Sequence, residues 1–365
     1  MVTARGRRPG QTEGTTRVTQ ADVAARAGVS ISVVSRELNG DPELRARPET
    51  RQRIHRAVQE LGYTPSHAAR SLRLSRAFAV GVIVPDLNNP IYDELVSGID
   101  ETAEALGYHV LMSRTEHMEP GADFLRKLAG EGRVDGFLIQ RRDETDRRDF
   151  AALAEAGGRP IILINARWSR HGSVVHDDER AGRIATQHLL DLGHRDIALI
   201  GGDPHSYTAT ARQRGYLQAI HGAGMRKRSA WVIEHPYEPE AGHAAMIELC
   251  TRFRRRPTAV VVANIHAAIG AMLGAREAGL SIPGQLSIVA IHDWWISDYT
   301  QPTLTTVRMP QRALGRVAMR LLHDRLRGEA PQDLTITDPP PTLIERGSTA
   351  PPPRRLVRGR LDATG

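Results

Sequence analysis

The sequence predicts an N-terminal all-α helix-turn-helix domain followed by a larger α/β domain built from doubly wound parallel sheets. Three observations lead to this prediction. Two short apolar-patterned segments, divided by one glycine, lie within residues 18–40. From Ala77 onward, apolar runs of strand length alternate with amphipathic helical stretches. The excess positive charge is confined to residues 1–80, which hold 14 arginines against 7 acidic residues, whereas the rest of the chain is balanced.

The stretch VTQADVAARAGVSISVVSRELNG has the start and stop signals of two short helices. Thr19 is suited to cap the first helix, with Asp22 three residues on able to reach back to the cap. Gly28 is expected to end that helix in the left-handed conformation, and Ser30 to cap the second. An ordinary helical hairpin inside a bundle would show the same turn, so the turn alone leaves both possibilities open.

The following stretch, PETRQRIHRAVQELGY, predicts a third helix that covers the first two. Its apolar residues recur at helical spacing from Ile54 to Leu61, and Gly62 closes it. Next comes TPSHAARSLR, where Ser66 can cap a segment too short to be a stable helix alone, because helix nucleation is costly. Another molecule or domain must therefore order this segment.

Composition limits the remaining possibilities. A single cysteine, Cys250, excludes an intramolecular disulfide framework and is most simply a small core residue. The polar N-terminus has no apolar region of the signal-peptide type, and the apolar runs are far shorter than a membrane span. We therefore expect a cytoplasmic protein. Because 47 of the 49 basic residues are arginine, which suggests a genome-wide codon bias, individual arginines carry less weight.

Seven apolar runs predict parallel strands buried on both faces: FAVGVIVP, YHVLMS, VDGFLIQ, PIILIN, IALIGG, AVVVA and LSIVAIH. Ligands of doubly wound sheets bind outside the carboxyl ends of the strands. Here those ends are rich in polar residues and glycine, at PDLNNP, Asn165, 201–203, Asn264 and 292–295. Any one of them alone could be a polar turn, but their recurrence indicates a cleft.

The motifs of both regions resemble those of the LacI family of bacterial transcription regulators. VTxxDVAxxAGVSxxxVSRxLN and LGYTPSxxARSL are similar to the family signature, and PDLNNPIYDELVSGIDETAEALGY, HLLDLGHRDIALIGG, ARQRGY and PTLTTVRMP follow in the family's order. The resemblance covers about Val18 to Ser348. It implies a DNA-binding regulator, expected to be a repressor, that binds a palindromic operator as a homodimer and responds to a small-molecule effector.

The resemblance also implies the domain organisation. We expect a disordered basic arm over 1–16, a helix-turn-helix domain over 17–63, a hinge helix over 64–76, an effector-binding and dimerisation domain over 77–350, and a disordered tail over 351–365. The effector domain is expected to be periplasmic-binding-protein-like, with two doubly wound subdomains, 77–172 with 307–335 and 173–306 with 336–350. The tail has three prolines and no heptads, which favours a dimer over a tetramer.

The DNA-contacting residues follow from the resemblance and from groove chemistry. Ile31 and Ser32 open the second helix, where side chains meet base edges, and Arg36 lies one turn further, within reach of guanine. A phosphate contact is the alternative for Arg36. Leu72 matches a hinge leucine that wedges between base steps in the family, and a core position is its alternative. The predicted set is Thr19, Ser30, Ile31, Ser32, Ser35, Arg36, Asn39, Tyr63, Ser66, His67, Ala69 and Leu72.

The effector residues depart from the family pattern. Arg212 matches an arginine that anchors effectors through its guanidinium fork. Where relatives commonly carry an Asn-Asp pair and a strand-end aspartate, this chain has Ile265 after its asparagine and a histidine before Asp293. We therefore expect a sugar derivative or an anionic or partly aromatic compound. The predicted lining residues are Asn88, Asn89, Tyr92, Arg212, Asn264, His292 and Trp294. Alternatively, Trp294 and Trp295 lie in the core or a dimer interface and effector control is lost.

Other functional classes have less support. The sequence lacks GxGxxG after a strand, GxxxxGK[ST], HExxH and GxSxG, so we expect no catalysis and no cofactor. HDD at 176–178 and HD at 292–293 lack the convergent ligands of a metal site, and none is predicted. A secreted solute-binding protein without DNA function is the main alternative, because the α/β domain alone would fit it. The helix-turn-helix and the missing signal peptide oppose it.

Overall fold

The computed structural model describes residues 18–64, 76–85, 91–114, 130–140, 158–167, 170–225, 231–252 and 256–353. The internal contacts of the chain separate it into two compact units, Met1–Arg76 and Ala77–Gly365. Each unit is described by itself.

The described residues of the first unit form three helices, α1 (Gln20–Ala27), α2 (Ile31–Leu38) and α3 (Pro48–Leu61). The expected helix signals are present: Thr19 and Asp22 form a capping box, and Gly28 ends α1 with φ 65°. Ser30 caps α2 by accepting a hydrogen bond from the Val33 amide. The helices pack around a small core that includes Val23, Val34 and Ile54. The helix-turn-helix prediction is confirmed.

In the second unit, the described residues form twelve strands. They are β1 (Ala79–Val84), β2 (His109–Arg114), β3 (Gly136–Ile139), β4 (Ile161–Ile164), β5 (Ser173–His176), β6 (Ile197–Gly201), β7 (Val232–Glu234), β8 (Ala259–Val262), β9 (Ser287–Ile291), β10 (Thr305–Arg308), β11 (Asp333–Ile336) and β12 (Thr342–Ile344).

The described helices of this unit are α4 (Ile91–Ala105), α5 (Asp178–Asp191), α6 (Tyr207–Gly222), α7 (Pro239–Thr251), α8 (Ile265–Glu277) and α9 (Gln311–Leu326), with a short 3-10 helix at Trp295–Asp298.

The strands form two six-stranded sheets, one in each of two subdomains. The first sheet has the order β11-β5-β4-β3-β1-β2 and is parallel throughout. The second has the order β12-β10-β9-β8-β6-β7, with only β12 antiparallel to its neighbour. In the centre of the second sheet, Val261 lies between Leu199 and Val289. Helices α5 and α6 cover one face of that sheet and α7 and α8 the other, so both faces are buried.

The strand composition of the sheets corrects the expected subdomain boundaries. The predicted boundary at residue 173 assigns β5 to the second subdomain, but β5 pairs with β4 and β11 in the first sheet. The first crossing therefore follows His176. β10 belongs wholly to the second sheet, so the later crossing follows Arg308. β5 has only four residues, too few for its apolar pattern to reveal which neighbours it pairs with. Residues 351–353, expected in the disordered tail, are also described, and Pro352 lies beside Gly193.

Paired glycines bring the covering helices into backbone contact. A Cβ atom at Gly182 in α5 would collide with the Arg212 carbonyl oxygen in α6, and one at Gly215 in α6 would collide with the Glu179 carbonyl oxygen. The same arrangement joins α4 to α9 and α7 to α8. Close approach of α5 and α6 determines how near their polar side chains come. Among the described residues, no helix is long and apolar enough to span a membrane.

Candidate functional site

The exposed start of α2 is the candidate nucleic-acid interface of the first unit. Ile31 exposes 52% of its surface, and Ser32 beside it is exposed as well. Ser30 caps the helix while its hydroxyl lies 2.9 Å from the Ser32 hydroxyl. The side chains at the N-terminal end of a recognition helix are those that reach base edges in the major groove. This end of α2 is therefore accessible for such contacts.

The remaining predicted DNA residues are placed differently. Thr19 is exposed, and its backbone amide and its hydroxyl both donate to the Asp22 carboxylate. These two bonds, the amide's first, lower the pKa of Asp22. Asn39 is exposed at the end of α2, and its amide nitrogen donates to the carbonyl of the half-buried Ser35. Tyr63 is only 8% exposed and packs in the core of the three helices, so the structure does not place it on an exposed DNA-facing surface. Ser66, His67, Ala69 and Leu72 lie outside the described residues.

Arg212 is the centre of the candidate effector site in the second unit. Its side chain is buried, its Nε lies 2.8 Å from Asp178 Oδ1, and its Nη2 lies 2.7 Å from the same oxygen. Nη1 donates to the Ala263 carbonyl at 2.5 Å, and Nη2 also donates to His292 Nε2 at 2.9 Å. The guanidinium therefore binds acceptors from α5, from the end of β8 and from the end of β9. Asp178 compensates its positive charge inside the protein.

A chain of side chains continues from Arg212 across the boundary between the subdomains. The Gln311 amide, at the start of α9, lies 3.0 Å from His292 Nδ1 and 3.0 Å from His176 Nε2. Burial lowers the pKa of His176, and burial together with the Arg212 charge lowers the pKa of His292 well below its ordinary value. Both imidazoles are therefore neutral. We call this set, Arg212, His292, Gln311 and His176, the polar relay.

The tautomers of the polar relay follow from its donors and acceptors. Arg212 only donates, so His292 Nε2 accepts and the ring proton lies on Nδ1. The structure directs Gln311 Nε2 at His292 Nδ1, but an imidazole that accepts at both nitrogens would carry no proton. A half-turn of the amide, which exchanges two atoms of similar size, directs the oxygen at His292 and the nitrogen at His176. His176 Nδ1 then carries a proton. Among the described residues, it has no hydrogen-bond partner, and neither does Asp178 Oδ2.

A second row of polar groups lines the carboxyl end of the first sheet. Asn165, after β4, donates to Gln140 after β3 at 3.2 Å, and Gln140 donates to the Tyr92 hydroxyl at 3.2 Å. Asn165 and His292 both have left-handed backbones, with φ 55° and 70°. Non-glycine residues adopt this conformation at a cost, and such strain is concentrated at functional sites. Two of the strand ends predicted to form a cleft, at Asn165 and His292, thus have a left-handed backbone.

The other predicted effector residues have additional or different contacts. Asn264 is buried, and its side-chain oxygen caps α8 by accepting from the Ala267 amide at 3.1 Å. Trp294 is half-buried against the hydrophobic core between the second sheet and helices α7 and α8, and it contacts the ring of Trp295 at a centroid distance of 4.9 Å. Asp293 binds Arg308 and Arg346 at 2.6 and 2.8 Å. Asn88 and Asn89 lie outside the described residues.

The structure adds residues that sequence reasoning did not assign to the site. Tyr237 has its ring 5.9 Å from the Arg212 guanidinium carbon, and it packs on Gly202, where a Cβ would collide with the ring. The spacing of the HDD stretch suggests at most a metal motif, whereas in the structure its first and third residues, His176 and Asp178, bind members of the polar relay. No local pattern marks Gln311 or Tyr237, because their partners are distant in sequence.

The comparisons with known proteins agree with this architecture. Residues 19–66 match the model of bacterial regulatory proteins of the lacI family, and residues 186–349 match a periplasmic binding protein-like domain. The HTH-type transcriptional repressor PurR of Erwinia tasmaniensis is 32% identical over 341 residues, covering 92% of this chain and 98% of the relative.

Two solved structures show the same relationship. A LacI family transcriptional regulator from Mycobacterium smegmatis has 41% identity and a TM-score of 0.69, covering 75% of this chain and 99% of that one. The lac repressor dimer bound to operator and the anti-inducer ONPF has 27% identity and a TM-score of 0.75, covering 92% and 100%. The helix-turn-helix match opposes the alternative of a solute-binding protein without DNA function. The chain belongs to the LacI family of DNA-binding transcriptional regulators.

Proposed function

We propose that the chain is a repressor that binds a palindromic operator as a homodimer and is controlled by a small molecule in the cleft between the two sheets. The observation that carries this proposal is the combination of an exposed start of α2 with strand ends that meet at a buried polar relay. The lac repressor relative was solved with operator and an anti-inducer, which supports the same pairing of functions here. Operator binding would take place in the cytoplasm.

The DNA-binding half is tested by selection from a random pool of duplex DNA with the full chain. We expect enrichment of an inverted repeat, because a two-fold symmetric dimer presents two copies of α2 to two half-sites. Enrichment of no motif would contradict the proposal. A single non-repeated motif would contradict dimeric recognition while leaving DNA binding intact.

The hinge prediction is tested on the same selected site. Leu72 remains a predicted wedge between base steps, and wedging of this kind kinks the duplex. Leu72→Ala is expected to weaken specific binding and to reduce the bend measured by circular-permutation band shift. Equal bending by variant and parent would reject the wedge.

For the effector, we propose a neutral polar molecule. The sequence alone allows an anionic ligand, because an Arg212 guanidinium without a protein partner could bind it. That fork binds protein acceptors, and Asp178 cancels its charge, so an anion would meet no net positive charge at the relay. His176 Nδ1–H and Asp178 Oδ2, both buried and without a partner among the described residues, supply one donor and one acceptor for the ligand.

A thermal-shift screen of neutral sugars, sugar acids, nucleobases and aromatic glycosides tests this proposal. We expect a neutral compound to stabilise the full chain, and the shift to fall in Asp178→Asn and His176→Phe, each compared with its own unliganded midpoint. Stabilisation by sugar acids alone would contradict the neutral class. No stabilisation by any class would favour the alternative in which effector control is lost.

The dimer proposal has a candidate surface in the second subdomain. Trp295 and Tyr299 expose 58% and 77% of their surfaces, and their ring centroids are 5.6 Å apart. We call these two residues the aromatic patch. Exposed aromatic side chains are enriched at protein interfaces. One structural relative is a dimer, which supports a second copy of this chain as the occupant.

A further inference from the structure

Asp41, in the loop that follows α2, binds the side chain of Arg36. Arg36 Nε donates to Asp41 Oδ2 at 2.7 Å. The carboxylate is itself held in place, because its other oxygen accepts from the Glu43 amide at 2.9 Å. The backbone is closed at the same point, where the Asp41 amide donates to the Arg36 carbonyl at 3.0 Å. Backbone and side chain thus join Arg36 to one anchored residue.

The hydrogen bond from Arg36 Nε to Asp41 leaves the Nη1–Nη2 edge of the guanidinium available for other partners. Within the described part of the chain, Nη1 and Nη2 of Arg36 make no hydrogen bond, whereas Nε is engaged. Guanine offers two acceptors, O6 and N7, on its major-groove edge, and a guanidinium reads them with two parallel N–H groups. With Nε bound to Asp41, the edge formed by Nη1 and Nη2 is the one that remains for guanine.

The ion pair between Arg36 and Asp41 contributes little to folding stability. The Arg36 and Asp41 side chains retain 46% and 32% of their exposure, and exposed ion pairs contribute little to stability. A carboxylate close to a DNA-facing helix also repels phosphates, so it weakens binding to any duplex. The effect of the ion pair on Arg36 is to hold its guanidinium in one orientation. A flexible arginine that is already held in one direction loses less conformational freedom when it meets its base.

We infer that Asp41 is a positioning residue for Arg36, which it aims at a guanine in the major groove. This inference rests on the proposed DNA contact of Arg36. It makes two opposite predictions for one substitution. In Asp41→Asn, binding to unrelated duplex DNA should strengthen about two- to threefold, because one repelling charge is gone. Discrimination at the guanine read by Arg36 should fall about tenfold, because the side chain is no longer directed.

The experiment uses the full chain and the half-site recovered by selection from random DNA. Each G·C pair of the half-site is changed singly to A·T, and the affinity for each duplex is compared with that for an unrelated duplex of equal length. Glu43→Gln is the matched control, since it removes one negative charge from the same exposed loop without altering the Arg36 contact. We expect it to strengthen unrelated binding as Asp41→Asn does, with guanine discrimination unchanged.

Two further variants separate position from charge. Asp41→Glu keeps the charge but displaces the carboxylate, so guanine discrimination should fall without stronger binding to unrelated DNA. In an Arg36→Ala background, Asp41→Asn should change discrimination no further. If Asp41→Asn instead behaves like Glu43→Gln, the inference is wrong. If Arg36→Ala leaves discrimination unchanged at every base pair, the proposed base contact of Arg36 is wrong, and the result for Asp41 is then not the cause of the contradiction. Unchanged thermal midpoints would show that the variants are folded.

Discussion

Arg212 and Asp178 form a buried ion pair, with Arg212 Nη2 2.7 Å from Asp178 Oδ1, although 34 residues separate them in the chain. The pair lies where α5 and α6 cross at Gly182 and Gly215, whose missing side chains allow the two backbones to touch. Helix packing therefore determines the electrostatics of the cleft. It neutralises the arginine and leaves it joined to His292 on its other side.

Removing Arg212 should strongly destabilise the second unit. Arg212→Ala leaves Asp178 as a buried carboxylate without its partner, which costs about 3–5 kcal/mol of unfolding free energy. Arg214→Ala is the control. Arg214 lies two residues after Arg212 in α6, and its partner, Glu179 in α5, is exposed. Its loss should cost less than about 1 kcal/mol. Urea unfolding measures both, and similar losses for the two variants would contradict the account of the buried pair.

Buried histidines should make stability fall on mild acidification. Burial lowers the pKa of His176, His188, His194 and His292 below the ordinary value. Because the unfolded chain then binds protons before the folded chain does, stability is complete above about pH 6.5 and declines as the pH falls below it. Urea unfolding at about pH 7.5 and 5.5 measures this decline. His292→Gln should reduce the difference between the two values.

Carboxylates do not account for a decline in that window. The hydrogen bonds from Arg312 and Arg316 lower the pKa of Glu101 to about 2, and those from Arg346, Thr306 and Arg308 lower the pKa of Asp293 against its burial. Stability linked to these groups is lost only below about pH 4.5, as their protonation begins. A stability that stayed constant down to about pH 5.5 would contradict neutral buried imidazoles.

A contact between Arg167 and Tyr207 should couple the two subdomains. Arg167 follows β4, binds Ser173 at 3.4 Å and Thr335 in the first sheet, and lies 6.0 Å from the ring centroid of Tyr207, the first residue of α6. A cation–π pair of this kind contributes about 0.5–1 kcal/mol. A double-mutant cycle with Arg167→Gln and Tyr207→Leu should yield that coupling in urea unfolding. Tyr207→Phe retains the ring and should retain the coupling, and a zero coupling energy would exclude the contact.

The helix-turn-helix was predictable because its signals are local. Thr19 and Asp22 form their capping box within one helical turn, and Gly28 ends the helix that they begin. The long apolar strands of the second unit were predictable for the same reason. The strands β5, β7 and β10 to β12 do not follow from the sequence, because polar residues interrupt their short apolar runs, whereas the equally short β3, β4 and β8 are apolar throughout.

The candidate site could be predicted only in part. The resemblance of the segment around Arg212 to the LacI family pointed to this residue, but its acceptors lie 34, 51 and 80 residues away in the chain. Nothing near Gln311 in the sequence indicates that its amide joins two histidines from different strands. His292 was expected to line a cleft as a replacement for a carboxylate. The sequence could not show that it accepts a hydrogen bond from Arg212, because that depends on how α6 packs against β9.

The aromatic patch should support dimer formation, whereas the C-terminal tail should not. Trp295→Ala with Tyr299→Ala is expected to raise the dimer dissociation constant in light scattering over a concentration series. Truncation after Pro353 should leave the dimer unchanged, and it spares Ala350, whose carbonyl lies 2.8 Å from His194 Nε2. A full-length tetramer that became a dimer on truncation would show that the tail assembles the protein. An unchanged dissociation constant in the double variant would exclude the patch.

The central claim is that the first residues of α2 read the operator sequence. DNA selection with a variant in which Ile31 and Ser32 are replaced tests it most directly. Ile31 and Ser32 are proposed to read base edges, while the phosphate contacts and the dimer set affinity and half-site spacing. The full chain and an Ile31→Ala, Ser32→Gln variant are each used to select duplexes from one random pool. The account predicts inverted repeats of the same spacing from both proteins, with different preferred bases within the half-site and equal affinity for unrelated DNA. Identical preferred sequences from the two proteins would contradict it.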